Sequence, residues 1–233
     1  MVVIKKRSII IIAVLLACIL TSIFCFSVLS ETTSGSSLDG DIRIVLDAGH
    51  GGIDAGVTGV NTGVKESDLN LLYVRKLEKL LSDAGFKVIL TRNSDAGLYG
   101  VATKNLKRKD MQKRKEIILD ANPSLVISIH MNKYSLKSRR GAQVFYDKDN
   151  KNGQIFANCI QKHLNNMKES PRSCSALTGD YYILNCSEIP SVIIECGFLS
   201  NADDERNLIS GEYQEQFIYT VFKGIVTYFA EIN

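Results

Sequence analysis

The sequence lacks the features that mark several common classes of protein. Its formal net charge of +3 is too small to predict a nucleic-acid partner, although an anionic polymer would not be repelled. No internal repeat or low-complexity tract is present. The HExxH, G-x-S-x-G and P-loop patterns are also absent. A catalytic site must therefore be sought among polar residues that are far apart in the sequence.

Cysteine pairs that could bind a metal are absent as well. Two of the six cysteines lie in an apolar run near the N-terminus, and the others are Cys159, Cys174, Cys186 and Cys196. These form neither a CxxC pair nor a Cys-Cys-His spacing, so no thiolate metal site is predicted. Export would permit disulfides in several pairings. The sparse pattern nevertheless favours reduced, packed thiols.

The N-terminal segment predicts export of the chain. Lys5-Lys6-Arg7 precedes an almost continuous apolar run from Ile9 to Leu29, so residues 1–30 are predicted to be a signal peptide or a signal-anchor transmembrane segment. The run exceeds the about 7–15 apolar residues of a secretory signal, which favours an uncleaved anchor. Val28-Leu29-Ser30 leaves cleavage open. We expect an extracytoplasmic protein that is either membrane-anchored or secreted.

The remaining chain predicts a flexible linker and one globular domain. Residues 31–41 are rich in Ser, Thr and Gly and are predicted to be a linker, and residues 42–233 a single domain. In that domain apolar strands alternate with amphipathic helices, which is typical of an α/β fold with a mainly parallel sheet flanked by helices on both faces. The predicted strands are Ile42 to Asp47, Phe86 to Thr91, Leu125 to His130, Gly141 to Tyr146, an edge strand at Tyr181 to Leu184, and Ser191 to Cys196. The predicted helices are Glu66 to Ala84, Lys104 to Asn122, Gln154 to Met167, Asp203 to Ile209 and Tyr213 to Ile232, and a surface loop is predicted over Lys168 to Asp180.

Polar residues stand where these strands end and where a helix begins. His50 follows the first strand, and Glu66 lies in the first turn of the next helix. His130 ends the third strand, and Glu195 closes the last one. Because ligands bind at the carboxyl ends of parallel strands, we expect the four side chains to meet at one edge of the sheet.

This set of residues predicts a zinc hydrolase. Two imidazoles and one carboxylate, from His50, His130 and Glu66, leave one position of a tetrahedral zinc for a water molecule. Glu195 is then the carboxylate that carries the proton. Asp47 and Ser128 are predicted to orient the imidazoles.

Each residue also has a structural interpretation when it is taken alone. His50 could cap loop backbone, His130 could be a core histidine, and Glu66 could be an ordinary carboxylate at a helix start. Glu195 is harder to explain in that way, because a carboxylate that follows three apolar strand residues needs a partner. His163, the third histidine, lies mid-helix without a metal-ligating neighbour, apart from the thiol of Cys159, and is interpreted as structural.

Two further patterns have simpler explanations. The glycine-rich loop Gly49-His50-Gly51-Gly52-Ile53-Asp54 has Asp where a dinucleotide fingerprint requires Gly, so the nucleotide hypothesis is rejected. Its glycines are interpreted as slack that lets His50 turn toward Glu66. The basic helix Lys104 to Asn122 is interpreted as a solvated face, apart from Arg114.

The same positions resemble the zinc-dependent N-acetylmuramoyl-L-alanine amidases of the Amidase_3 type. The resemblance covers Arg43 to Tyr228, with Ala48 and Met131 where the family often has Pro and Ala. Its markers are Leu46-Asp47-Ala48-Gly49-His50-Gly51-Gly52, Glu66-Ser67-Asp68-Leu69-Asn70-Leu71, Thr91-Arg92-Asn93-Ser94-Asp95, Arg114, Ala121-Asn122, Ser128-Ile129-His130-Met131-Asn132 and Glu195-Cys196-Gly197-Phe198-Leu199-Ser200-Asn201.

The resemblance implies a role for each matched residue. His50, Glu66 and His130 would bind Zn²⁺, and Glu195 would be the catalytic carboxylate. The implied reaction is hydrolysis of the amide between the lactyl group of N-acetylmuramic acid and L-alanine in peptidoglycan. It also implies that the sheet has six strands and that residues 42–233 are a zinc amidase catalytic domain. We expect the protein to be a monomer.

A short membrane-linked domain without wall-binding repeats is similar to the germination-specific amidases of spore formers. That similarity implies a role in spore cortex modification, in which muramic-δ-lactam is formed, and a location in the cortex or intermembrane space. If the isolated domain binds metal poorly, a protein activator that orders the loop between His50 and Glu66 becomes a further hypothesis. Two alternatives stay open: a zinc peptidase that cuts within stem peptides, and a non-catalytic peptidoglycan-binding domain.

Overall fold

A mixed sheet with helices on both faces forms the framework of the computed structural model, which describes residues 42–232. The predicted signal or anchor segment (residues 1–30) and the predicted linker (residues 31–41) lie outside the described residues, so that division of the chain stays a prediction. None of the helices between residues 42 and 232 has the length and apolar content needed to cross a membrane.

The sheet has six strands in the order β2-β1-β3-β6-β4-β5. Strands β2, β1, β3 and β6 are parallel to one another, and β4 pairs antiparallel with β6. The predicted α/β class, six strands and mainly parallel sheet are confirmed. The strands are β1 Arg43–Ala48, β2 Lys87–Leu90, β3 Leu125–Asn132, β4 Gln143–Tyr146, β5 Leu177–Thr178 and β6 Ser191–Phe198.

Successive side chains along each strand point to opposite faces of the sheet and so contribute to two separate hydrophobic cores. Ile44 and Leu46 of β1 belong to the larger cluster, whereas Val45 belongs to the smaller cluster on the opposite face. The larger core is covered by helices α1, α3 and α6, and the smaller by α2 and α4. The helices are α1 Glu66–Asp83, α2 Leu106–Ala121, α3 Lys151–Asn165, α4 Tyr182–Asn185, α5 Ala202–Leu208 and α6 Gly211–Ile232.

One predicted element is wrong. Tyr181 to Leu184 was expected as an edge strand, but Tyr182–Asn185 is the short helix α4. Ile183 and Leu184 are both buried in the smaller core, and adjacent residues of a strand would point to opposite faces. A helical turn, in which the N–H groups of Leu184 and Asn185 donate to the carbonyl of Tyr181, places both on one side. The edge strand is instead β5, inside the segment predicted as a loop.

Candidate metal centre

Three predicted ligands converge at the carboxyl end of the parallel strands. Glu66 Oε1 lies 3.1 Å from His50 Nε2 and 2.9 Å from His130 Nδ1. One ligand atom from each of the three residues lies within 4.8 Å of the others. Two imidazole nitrogens and one carboxylate oxygen are the ligand set of open zinc sites in hydrolases. The residues therefore fit zinc, and their binding of it stays a prediction.

The glycine-rich loop brings His50 to this position through close packing. His50 itself has a left-handed backbone with φ of 60°, a conformation that is uncommon for a residue with a side chain. A β-carbon at Gly49 would lie 2.2 Å from the His130 ring, and one at Gly56 would lie 2.4 Å from Glu66 Oε2. The interpretation of the loop glycines as slack is therefore incomplete, because Gly49 in the loop and Gly56 just after it make room for the other ligands.

Two buried arginines hold the backbone of this loop. Arg114 Nη2 donates to the carbonyl of His50 at 2.6 Å, and its Nη1 donates to that of Ala48 at 2.8 Å. Arg92 donates to the carbonyls of Ala48 at 2.8 Å and Gly49 at 3.0 Å. These bonds stabilise the unusual conformation of His50, since charge-assisted hydrogen bonds are stronger than neutral ones.

Glu66 is held at both carboxylate oxygens. Its Oε2 accepts from the Val57 N–H at 2.9 Å, and its Oε1 accepts from the Met131 N–H at 3.2 Å. Burial would raise the pKa of Glu66, but hydrogen bonds and charge attraction from His130 and His50 outweigh it and hold that pKa well below its usual range. The carboxylate is therefore ionised, as a metal ligand must be.

Glu195 stands directly beside this cluster, because it pairs with His130 across β3 and β6. Its Oε2 is buried and has no hydrogen-bond partner among residues 42–232. Burial raises the pKa of Glu195 to about 7, with the nearby imidazoles opposing and Glu66 adding to the rise. A carboxyl group with a pKa near neutrality can both accept and donate a proton. The geometry suits the role predicted for Glu195, which stays a prediction.

The residues predicted to orient the imidazoles do not contact them. Asp47 accepts hydrogen bonds from Ser128 at 2.6 Å and from Thr91 at 2.6 Å, and pairs with Arg114. Burial would raise the pKa of Asp47, but Arg114 and these hydroxyl groups outweigh it and lower the pKa to about 2. The prediction for Asp47 and Ser128 is wrong, because both point to the face of the sheet that Arg114 covers.

Asp54 contacts an imidazole instead. Its Oδ1 lies 2.9 Å from His50 Nδ1, on the side of the ring opposite Glu66. Sequence reasoning missed Asp54, although the four-residue spacing from His50 within a tight glycine-rich loop was visible. A histidine that binds a metal commonly donates its other ring N–H to a carboxylate.

The remaining predictions concern His163, the cysteines and the basic helix, which are not part of the ligand cluster. His163 Nε2 lies 2.9 Å from Thr227 Oγ1, between α3 and α6, which supports a structural role. The four cysteines among the described residues are free thiols. On the basic helix, Arg114 is buried, whereas the side chains of Lys107 and Lys113 are 80% and 52% exposed. The solvated-face interpretation of that helix agrees with these positions.

A groove of about 770 Å³ opens above the cluster. His50, His130 and Glu195 lie in it, and its walls include residues of α2, of the loop that precedes α2, and of α4. Tyr181 and Tyr182 line the α4 side and are 40% and 47% exposed. Neither tyrosine was predicted to line a site, because that stretch was expected to be a strand.

Comparison with known proteins shows a family match over almost the whole predicted domain. The model of a family described as Amidase_3, N-acetylmuramoyl-L-alanine amidase, matches residues 44–227. A germination-specific N-acetylmuramoyl-L-alanine amidase of Bacillus subtilis (strain 168) is 34% identical over 192 residues, which cover 81% of this chain and 80% of that protein.

Solved structures are similar over the same region. The CwlD amidase of Clostridioides difficile, in its complex with the GerS lipoprotein, is 36% identical with a TM-score of 0.78, over 81% of this chain and 98% of that one. The amidase AmiC2 of Nostoc punctiforme is 28% identical with a TM-score of 0.70, over 82% of this chain and 98% of that one.

Proposed function

Because the chain belongs to the Amidase_3 family of N-acetylmuramoyl-L-alanine amidases, we propose that it works with zinc bound by His50, Glu66 and His130. It is a peptidoglycan amidase, which hydrolyses the bond between N-acetylmuramic acid and L-alanine. The observation that carries the zinc proposal is the meeting of three ligand atoms within 4.8 Å of one another. Zinc in such a site supplies a water that is nucleophilic at neutral pH and polarises the scissile carbonyl.

Glu195 carries the proton in the proposed reaction. Its Oε2 has no partner among residues 42–232 and is free to accept a proton from the attacking water. The same oxygen then delivers that proton to the nitrogen of L-alanine as the carbon–nitrogen bond breaks. The products are a free lactyl carboxyl group and a peptide with L-alanine at its amino end. In the metal-free chain burial raises the pKa of Glu195 to about 7, and bound zinc would lower that pKa toward the ionised form that accepts the proton.

The groove walls place the substrate around this cluster. Tyr181 and Tyr182 offer exposed aromatic surface on one side, and Lys107 and Lys133 supply positive charge. Aromatic rings pack against sugar rings and peptide, and ammonium groups attract the carboxylates of a stem peptide. The proposed ligand is therefore a glycan strand with its stem peptide attached.

We further propose a role in spore cortex modification, in which muramic-δ-lactam is formed. The similarity to a germination-specific amidase supports it. The similarity to CwlD, which has been solved in complex with the GerS lipoprotein, supports a protein partner. An extracytoplasmic location, with residues 1–30 as a signal peptide or membrane anchor, completes the proposal.

Mass spectrometry of digested muropeptides, together with elemental analysis, tests the proposal. We expect free lactyl groups, released peptides that begin with L-alanine, and about one zinc per chain. Cuts inside the stem peptide would favour the zinc-peptidase alternative, and binding without cleavage would favour the non-catalytic one. Stoichiometric zinc in a variant that lacks His130 would overturn the proposed ligand set.

A further inference from the structure

We propose that Asp54 is a positioning residue that fixes the ring orientation and tautomer of His50 for metal binding. The contact that carries the proposal is the 2.9 Å approach of Asp54 Oδ1 to His50 Nδ1. A carboxylate accepts but cannot donate, so this contact requires the proton on Nδ1. That leaves Nε2, which lies 3.1 Å from Glu66 Oε1, as the nitrogen whose lone pair zinc would take; in the metal-free chain Nε2 can carry a proton and donate to Glu66. This inference rests on the proposed zinc site.

Asp54 is itself held in place by the loop. Its carbonyl accepts from the Gly51 N–H at 2.9 Å, and its N–H donates to the Gly51 carbonyl at 3.2 Å. Its Oδ1 also accepts from the Gly56 N–H at 3.2 Å. These bonds close a tight backbone loop from Gly51 to Asp54, immediately after His50. The carboxylate therefore has a defined direction before any metal arrives.

The two imidazoles differ in how much external support they need. His130 lies within β3, which is paired with β1 on one side and β6 on the other, and its ring packs against Gly49. His50 lies on a loop with a left-handed backbone. Among residues 42–232, Glu66 is the carboxylate that contacts His130, whereas His50 contacts both Glu66 and Asp54. The loop histidine is thus the one that receives a second carboxylate.

Lys107 connects Asp54, the partner of His50, with the wall of the groove. Its Nζ lies 3.9 Å from Asp54 Oδ2, and both residues line the groove. The side chain of Lys107 is 80% exposed, so this ion pair is weak. The contact of Asp54 with His50, rather than that with Lys107, accounts for its placement. Loss of an orienting carboxylate weakens metal binding by about 10–100-fold in other metalloproteins.

Zinc affinity of the Asp54→Ala and Asp54→Asn variants tests the proposal. We expect the zinc dissociation constant, measured by competition with a chelating dye, to rise about 10–100-fold in Asp54→Ala. Asp54→Asn keeps an acceptor at the same place and should rescue part of the loss. Asp68→Asn is the matched control, because Asp68 is an exposed carboxylate on the first turn of α1. Its zinc affinity should stay within about two-fold of the parent, as for a surface substitution.

A second readout needs no metal and no activity. The chain has three histidines, so long-range proton–nitrogen NMR spectra can resolve each ring. In the parent chain treated with chelator, we expect Nδ1 of His50 to be protonated, whether or not Nε2 also carries a proton. In Asp54→Ala we expect the proton to remain on Nε2 alone, beside Glu66. This result stands even if the parent chain fails to bind zinc, in which case only the proposed zinc site fails.

Two outcomes would overturn the role of Asp54. One is a His50 Nδ1 that stays protonated in Asp54→Ala, together with a zinc affinity equal to that of Asp68→Asn. The other is an equal loss of zinc affinity in Asp54→Ala and Asp54→Asn, matched by a fall in the unfolding temperature of the metal-free chain. That pattern would assign Asp54 to loop stability alone.

Discussion

Replacement of Glu195 by Gln tests two properties of this carboxylate separately: its role in catalysis, and the folding stability that is lost when it is ionised in a poorly solvated position. The side chain keeps its shape but can no longer take up or release a proton at accessible pH. Turnover of muropeptides should fall by about 10²–10⁴-fold, which is the usual contribution of a general acid or base. Zinc content should stay the same, because Glu195 is not among the three clustered ligands.

The same substitution should stabilise the metal-free fold above neutral pH. Burial raises the pKa of Glu195 from 4.5 to about 7, a difference worth about 3 kcal/mol at about 1.4 kcal/mol per pH unit. Because the folded-state pKa is raised, the parent chain loses this stability as the pH rises from the unfolded value through about 7. Gln carries no charge, so the variant avoids the loss.

Urea unfolding in the presence of a chelator measures this effect. We expect the free energies of unfolding of parent and Glu195→Gln to be equal near pH 4.5 and to differ by up to about 3 kcal/mol above pH 7, in favour of the variant. Glu188→Gln is the control, because Glu188 is exposed on the loop before β6 and should change stability by less than about 0.5 kcal/mol. A difference independent of pH would refute the burial argument, and turnover within ten-fold of the parent would refute the catalytic role.

Three other substitutions test the site and its support. His130→Ala should lose bound zinc, measured by elemental analysis of the purified chain, because one of three ligands is removed. Gly49→Ala should weaken zinc binding in the dye competition assay, since its β-carbon would lie 2.2 Å from the His130 ring; an unchanged affinity would contradict the packing argument. Arg114→Met should lower the free energy of unfolding by about 3–5 kcal/mol in urea, because it leaves the buried Asp47 without its cation. Lys113→Met, at an exposed neighbour, is the control for Arg114, and equal effects of the two would contradict the buried pairing.

The positions of the predicted ligands could be inferred because they depend on local sequence. Apolar stretches define the parallel strands, and the polar residue that ends each strand must lie at the carboxyl edge of the sheet. His130 and Glu195 end neighbouring strands and pair across β3 and β6. Glu66 opens a helix whose apolar spacing is regular. Each of these placements follows from the spacing of apolar residues within a single strand or helix.

The contacts around the ligands were decided by tertiary structure. Asp47 and Asp54 are both carboxylates close to His50 in sequence. Asp47, on β1, forms an ion pair with Arg114 of α2, whereas Asp54 contacts His50. Which of the two carboxylates contacts His50 depends on the face to which the strand residue points and on the conformation of the loop. The sequence pattern does not contain the loop conformation. In the same way, Ile183 and Leu184 form a helical turn because a core on one side accepts both.

The sequence by itself determined the α/β class, the edge of the sheet that carries the site, and the side chains His50, Glu66, His130 and Glu195. Local periodicity and strand ends are sufficient for these. Only the tertiary structure decided that the half-buried Glu195 has a pKa near 7, that Asp54 contacts His50, and that Tyr181 and Tyr182 line the groove. Desolvation, charge pairing and loop closure depend on residues brought together from distant parts of the chain.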